Sequence, residues 1–265
     1  MKLIDFHTHC FPDKLAENAL HHISGISHAI PCTNGTFSDL LAKMDEWKVD
    51  MAVCLNIATA PKQQHNVNEF ALSIQDGKRI FSFGSVHAEN ADAVHEIYRM
   101  HEAGIKGIKL HPDYQNVELA DRRMFPIYDA CAELGMFCVF HSGWDPVSPD
   151  NTRVTPDKVL RLHKLFPRFR IILGHLGGLS LWNEVEEKLA GTGILMDTAY
   201  TRGMISPEQF TRIIQKHGAE NIVFGSDCPW QSSRDTADFI DSLPISSQQK
   251  DKIFYQNALE LLQIS

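Results

Sequence analysis

No stretch of this chain comes near 18 consecutive apolar residues, so no helix is expected to span a membrane. Its basic residues never cluster beyond Lys78-Arg79 and Arg122-Arg123, and the formal net charge is −8, which argues against a nucleic-acid surface. Six cysteines (Cys10, Cys32, Cys54, Cys131, Cys138 and Cys228) include no C-x-x-C pair. A chain of 265 residues that is 43% hydrophobic can build a core without disulfide staples, so reduced thiols are expected. No G-x-G-x-x-G follows an apolar run, which leaves a dinucleotide-binding sheet without support. The opening Lys2-Leu3-Ile4-Asp5-Phe6 lacks the basic segment and long apolar stretch of a signal peptide, and a cytoplasmic location is expected. Linkers and low-complexity tracts are missing too, so residues 1–265 are expected to form one domain.

What is present is a rhythm. Short apolar runs recur at Leu3–His9, Met51–Ile57, Ile80–Val86, Ile105–His111, Phe137–Gly143, Arg170–His175, Ile194–Ala199 and Asn221–Asp227. Most are continuously apolar rather than alternating, as parallel strands covered on both faces require. Between them, helical spacing is visible at Thr36–Trp47, Asn66–Asp76, Ala91–Ala103, Met124–Leu134, Thr155–Phe166, Leu181–Ala190, Pro207–His217 and Ser246–Leu262. Eight strands alternating with about eight helices predict an α/β fold, a single (β/α)8 TIM barrel. The polar segment Ala19–Gly35 reads as an irregular loop near the active site.

Fourteen histidines are many for this length. In such a barrel, catalytic groups come from the C-terminal ends of the strands. His7 and His9 end the first run and, two apart, share a face. His111 ends the fourth run, His141 the fifth, His175 the sixth, and Asp227 the eighth. Four imidazoles and a carboxylate converging at one mouth would leave many buried polar atoms needing partners. A divalent cation supplies one. Nitrogen and carboxylate donors together suit one Zn²⁺, with Mn²⁺, Fe²⁺ and Co²⁺ as alternatives.

The motifs Ile4-Asp5-Phe6-His7-Thr8-His9, Gly107-Ile108-Lys109-Leu110-His111-Pro112, Phe140-His141-Ser142-Gly143, Gly174-His175-Leu176-Gly177-Gly178 and Phe224-Gly225-Ser226-Asp227-Cys228-Pro229-Trp230 together resemble the amidohydrolase superfamily. Within it they resemble the amidohydrolase-related group that includes aminocarboxymuconate-semialdehyde decarboxylase. The resemblance implies a metallo-dependent hydrolase type of barrel. His7, His9, His141 and Asp227 would hold the metal, and Asp227 would also shuttle a proton. His175 would hydrogen-bond the activated water or the substrate. Binuclear members carry a carboxylated lysine on the fourth strand, a role open to Lys109. The expectation for this branch is one ion, with Lys109 instead pairing buried carboxylates or an anionic substrate. His111 would be near the substrate.

Two reactions fit. The first is hydrolysis of a small carboxylate-bearing ester, lactone or amide, in which a cation makes hydroxide available near neutral pH, Asp227 takes the proton and His175 steadies the oxyanion. The alternative is non-oxidative decarboxylation or hydration of a small unsaturated or aromatic acid. In the hydrolytic reading Lys109, His111 or Arg202 would meet the substrate carboxylate; in the alternative the metal would hold it, and Trp144 and Trp230 would stack on a planar ring. The expected partner is thus a small anionic molecule, neither nucleic acid nor membrane, and a homo-oligomer is compatible with the sequence.

Overall fold

The computed structural model describes residues 2–264. Eight strands form in the expected runs: β1 (Ile4–Thr8), β2 (Met51–Leu55), β3 (Ile80–Phe83), β4 (Gly107–Leu110), β5 (Phe137–Phe140), β6 (Arg170–Leu173), β7 (Leu195–Asp197) and β8 (Ile222–Val223). Neighbours in sequence pair in parallel from β1 to β3 and from β4 to β8. Two thin seams join these sheets. Gly84 bridges Ile108, and the Lys109 N–H donates to the Gly84 carbonyl at 2.7 Å. On the other side Thr8 bridges Cys228, the Phe6 N–H donates to the Phe224 carbonyl at 2.7 Å, and the Asp227 N–H donates to the His7 carbonyl at 2.8 Å. Together they close a (β/α)8 barrel.

Strand parity divides the apolar residues into two layers. Ile4, Phe6, Val53, Leu55, Phe81, Phe83, Phe137, Val139, Ile172 and Val223 fill the barrel floor, where Ala258 and Leu262 close it from below. Alternate residues such as Cys54, Ile108, Leu110, Cys138, Phe140 and Leu173 lie under the helices. Burying each large side chain contributes about 1.5–3 kcal/mol. This double burial is why the runs read as continuously apolar.

The helices start where their caps place them. The hydroxyls of Thr36, Thr155 and Ser206 accept from the backbone N–H of Asp39, Lys158 and Gln209. Such caps each contribute on the order of 1 kcal/mol. Three expectations differ. Residues expected to be loop within Ala19–Gly35 belong largely to a helix, Asp13–Ser27, whose buried stripe is only Ala16 and Leu20; so thin a stripe gives little periodic signal. The helices expected over Leu181–Ala190 and Ser246–Leu262 each contain a π-turn, at Val185–Leu189 and Lys252–Gln256. A further helix, Ser233–Asp241, starts at Ser232, whose hydroxyl accepts from the Asp235 N–H.

One irregularity sets up the site. Asp5 pairs with Ala52 but Thr8 pairs with Cys54, so β1 holds one extra residue between them. A bulge of this kind flips side-chain parity. Ile4 and Phe6 point into the floor below it, whereas above it His7 reaches Lys109 of β4 and Asp197 of β7 across the barrel interior.

Candidate metal centre and active site

His7 of β1 and His9, just past its end, are held by the ring nitrogen away from the mouth. His7 Nδ1 lies 2.6 Å from Asp197 Oδ2, and His9 Nδ1 lies 2.7 Å from the Leu55 carbonyl. A carbonyl only accepts, so the His9 proton sits on Nδ1, and the Asp197 carboxylate places the His7 proton the same way. Each Nε2 therefore presents a lone pair. Both face the same acceptor, Asp227 Oδ1, at 3.3 Å from His7 and 3.2 Å from His9. Three acceptors facing one another repel unless a cation lies among them. The separations match the edge of a tetrahedron with 2.0–2.1 Å arms, about 3.3 Å. His7, His9 and Asp227 form a donor group that fits a metal ion.

Charge in this group is strongly shaped by burial. Desolvation, then the neighbouring Lys109 ammonium, push His7 down to about 4. Burial alone would raise the Asp227 carboxyl, but the imidazoles of His9, His7 and His175 around it hold it well below the usual carboxylate range. Asp197 is fully buried, which also works against its charge, and His7 outweighs that. Lys109 is buried on the floor of the site with Nζ 3.2 Å from His7 Nε2. Desolvation lowers it to about 8, against the pull of Asp197 and Asp227.

Close packing fixes His7. A Cβ at Gly225 would stand 2.7 Å from His7 Cβ, and one at Gly174 would stand 3.3 Å from His7 Cε1. Around His175, His7 occupies the space at Gly174, and Met196 and Val185 pack against Gly177.

His141 was expected to join His7, His9 and Asp227. The structure groups it with His111 and Asp145 instead. The cause is a chain of hydrogen bonds. His175 Nδ1 lies 3.1 Å from the Ala199 carbonyl, so it carries the ring proton and leaves Nε2 as an acceptor. His141 Nδ1, at 2.9 Å, donates to that Nε2. His141 Nε2 is thereby turned away and has no hydrogen-bond partner. His175 in turn has both ring nitrogens engaged, by the Ala199 carbonyl and by His141.

His111 stacks between Tyr114 (ring centroids 4.0 Å apart) and His141 (4.2 Å). Trp144 is exposed, with Nε1 donating to the Pro149 carbonyl at 3.3 Å, and Trp230 is half-buried just past Asp227. Arg202 stands apart from the cluster: its side chain is 50% exposed and its nearest acid is Asp235, 3.9 Å away. Sequence reasoning missed Asp197, Asp145 and Tyr114. A lone carboxylate inside the apolar run Ile194–Ala199 was a usable signal for Asp197, whereas Asp145 lies in an irregular loop that gives none.

The Amidohydrolase family profile matches residues 4–264. The chain belongs to the amidohydrolase family. No curated protein matches this amidohydrolase. Among solved structures, 2,6-dihydroxybenzoate decarboxylase complexed with 2,6-dihydroxybenzoate has a TM-score of 0.75 at 15% identity, over 100% of both chains. A 5-carboxyvanillate decarboxylase from Novosphingobium aromaticivorans, with bound manganese and 3-methoxy-4-hydroxy-5-nitrobenzoic acid, gives 0.73 at 17% identity, over 99% of this chain and 97% of that one. An uncharacterized TIM-barrel protein from Bordetella bronchiseptica gives 0.80 at 18% identity, over 99% of each chain. At these identities the likeness is one of fold. Among the described residues no helix is long and apolar enough to cross a membrane.

Proposed function

We propose that this amidohydrolase is a metal-dependent, non-oxidative decarboxylase of a small planar aromatic or unsaturated acid. His7, His9 and Asp227 would hold one divalent ion, Zn²⁺ or Mn²⁺ by the donor set, leaving positions for the substrate's oxygens. When bound, the ion supplies a Lewis-acid anchor for the substrate's anionic group. Lys109 adds a buried positive charge beside it, and with a pKa near 8 it holds a proton at neutral pH inside a dry site. In the reaction the bond from carbon to carboxylate breaks, its electron pair stays on the ring carbon, CO₂ leaves, and the carbon takes one proton. Lys109 is the proposed holder of that proton. Trp144, Trp230 and Tyr114 would offer flat faces to a planar substrate.

The observation that carries this reading over hydrolysis is the saturation of His175. Both its ring nitrogens are engaged, by Ala199 and His141, so an ester oxyanion would find no N–H there. The two decarboxylases of hydroxylated benzoates among the similar folds support the same choice. One observation favours hydrolysis as a second reading: Asp227 is held ionised beside the cation seat, as a general base should be. The test is a panel of hydroxybenzoates and lactones incubated with Zn²⁺- or Mn²⁺-loaded protein. Stoichiometric CO₂ release from a hydroxybenzoate is expected. Lactone hydrolysis without CO₂ from any acid overturns the reading.

A further inference from the structure

We propose that Cys32 and Cys228 form a redox modification site, a thiol pair that a peroxide converts to a reversible disulfide across the seam between β8 and β1. The proposal goes beyond the decarboxylase reading and does not depend on it. Its foundation is the way the first loop lies on the last one. Cys32 belongs to the irregular segment between the helices Asp13–Ser27 and Phe37–Trp47, which follow β1, and Cys228 follows β8. The Cys32 N–H donates to the Pro229 carbonyl at 2.8 Å, and the Cys32 thiol donates to the same oxygen at 3.1 Å. The backbone beside Cys228 thus holds Cys32 in place, and the two thiols are in hydrogen-bond contact.

The two sulfurs differ as an attacking and a resolving cysteine must. Cys10, Cys54, Cys131, Cys138 and Cys228 are buried, whereas Cys32 is half-buried and within reach of a small solute. The hydrogen bond from Cys228 holds the Cys32 thiol below its usual value, against the effect of its partial burial. Burial pushes the Cys131 thiol, by contrast, up to about 12, which leaves it inert. Cys32 thus combines access with a favoured thiolate. In the reaction that thiolate attacks one oxygen of hydrogen peroxide; the O–O bond breaks, an S–OH forms, and hydroxide leaves and takes a proton to become water. The Cys228 sulfur then attacks the sulfenic sulfur, gives up its proton and expels the hydroxyl as a second water. Two thiols lose two electrons, and the peroxide gains them. Because residues 28–35 form neither helix nor strand, the backbone at Cys32 can yield from thiol contact to bond length.

The experiment maps disulfides in the full chain. The purified protein is treated with hydrogen peroxide, denatured, alkylated at its remaining thiols and digested with trypsin without reductant; Cys10, Cys32, Cys54 and Cys228 fall in different peptides. A Cys32–Cys228 link within the monomer, undone by dithiothreitol, is expected. The buried pair Cys10 and Cys54, with sulfurs 3.2 Å apart, is the internal control and is expected to be recovered alkylated. Cys32 and Cys228 both recovered as alkylated thiols overturn the proposal. So do Cys32 carried to the sulfinic acid with Cys228 still free, a Cys32–Cys32 link between chains, and a Cys10–Cys54 link formed in place of the expected one. Cys228→Ser removes the resolving sulfur, so peroxide should leave Cys32 as a sulfenic acid that dimedone labels; an unlabelled Cys32 in the folded variant refutes it as the attacking thiol. The wild-type map decides the proposal even if that variant does not fold.

Discussion

Asp197→Asn is the sharpest perturbation of the metal seat, because the structure forces the outcome of a nearly isosteric change. Asp197 Oδ1 accepts from the backbone N–H groups of His175 and Ala199, each at 2.9 Å. In the variant the amide oxygen must take that side, since an NH₂ there would face two donors. The NH₂ is then turned to His7 Nδ1, which has to become an acceptor. The His7 proton moves to Nε2, the atom that faces Asp227 and the ion. One of three donors is thus blocked with the shape nearly unchanged. Loss of an outer partner of this type weakens metal binding about 10–100-fold, or about 1.4–2.7 kcal/mol. The assay is competition for Zn²⁺ against a chromophoric chelator. An unchanged affinity in a folded variant refutes the assignment of Asp197 as the group that sets the His7 tautomer.

Other substitutions test the rest of the site. Asp227→Asn keeps an oxygen for the ion but removes the charge, and kcat is expected to fall about 10²–10⁴-fold with the ion largely retained; near-wild-type turnover removes Asp227 from the chemistry. Lys109 is protonated to a lower pH limit when folded, about 8 against 10.5, so the unfolded chain binds more protons between those values and stability rises with pH across them. In metal-free protein that rise should be on the order of 3 kcal/mol, and urea unfolding at pH 7.5 and 10.5 should show it shrink in Lys109→Met. Gly225→Ala sets a methyl against His7 and should cost about 1–3 kcal/mol and weaken metal binding; a neutral effect on both contradicts the packing at that contact.

The barrel was legible because burial on both faces writes each strand as an apolar run, and because hydroxyl caps with prolines mark helix starts such as Thr155-Pro156 and Ser206-Pro207. His7 and His9 were legible as a pair, since one face of one strand can be read from spacing alone. The bulge that turns this pair into the barrel was not, because one extra residue leaves no mark in composition. The grouping of His141 was hidden for another reason. Spacing places an imidazole at a strand end, but the direction of its lone pair depends on a hydrogen-bond chain through His175 and Ala199, residues far away in sequence. Asp145 reaches the site from a loop with no period.

The seam between β8 and β1 has a consequence for how the protein is made. His9 and Asp227 meet across it although 218 residues separate them in the chain. Asp5 crosses the same line, accepting from the hydroxyls of Ser226 at 2.5 Å and Ser233 at 2.6 Å. During synthesis the first strand must wait for nearly the whole polypeptide before its edge is covered, and until then the three donors cannot share an ion. With an ion held there as proposed, metal capture would be a check on completion: a truncated or misregistered chain would offer only a weak pair of imidazoles, while the finished barrel would gain stability by mass action on binding. The ion would act as a rivet at the last joint to close.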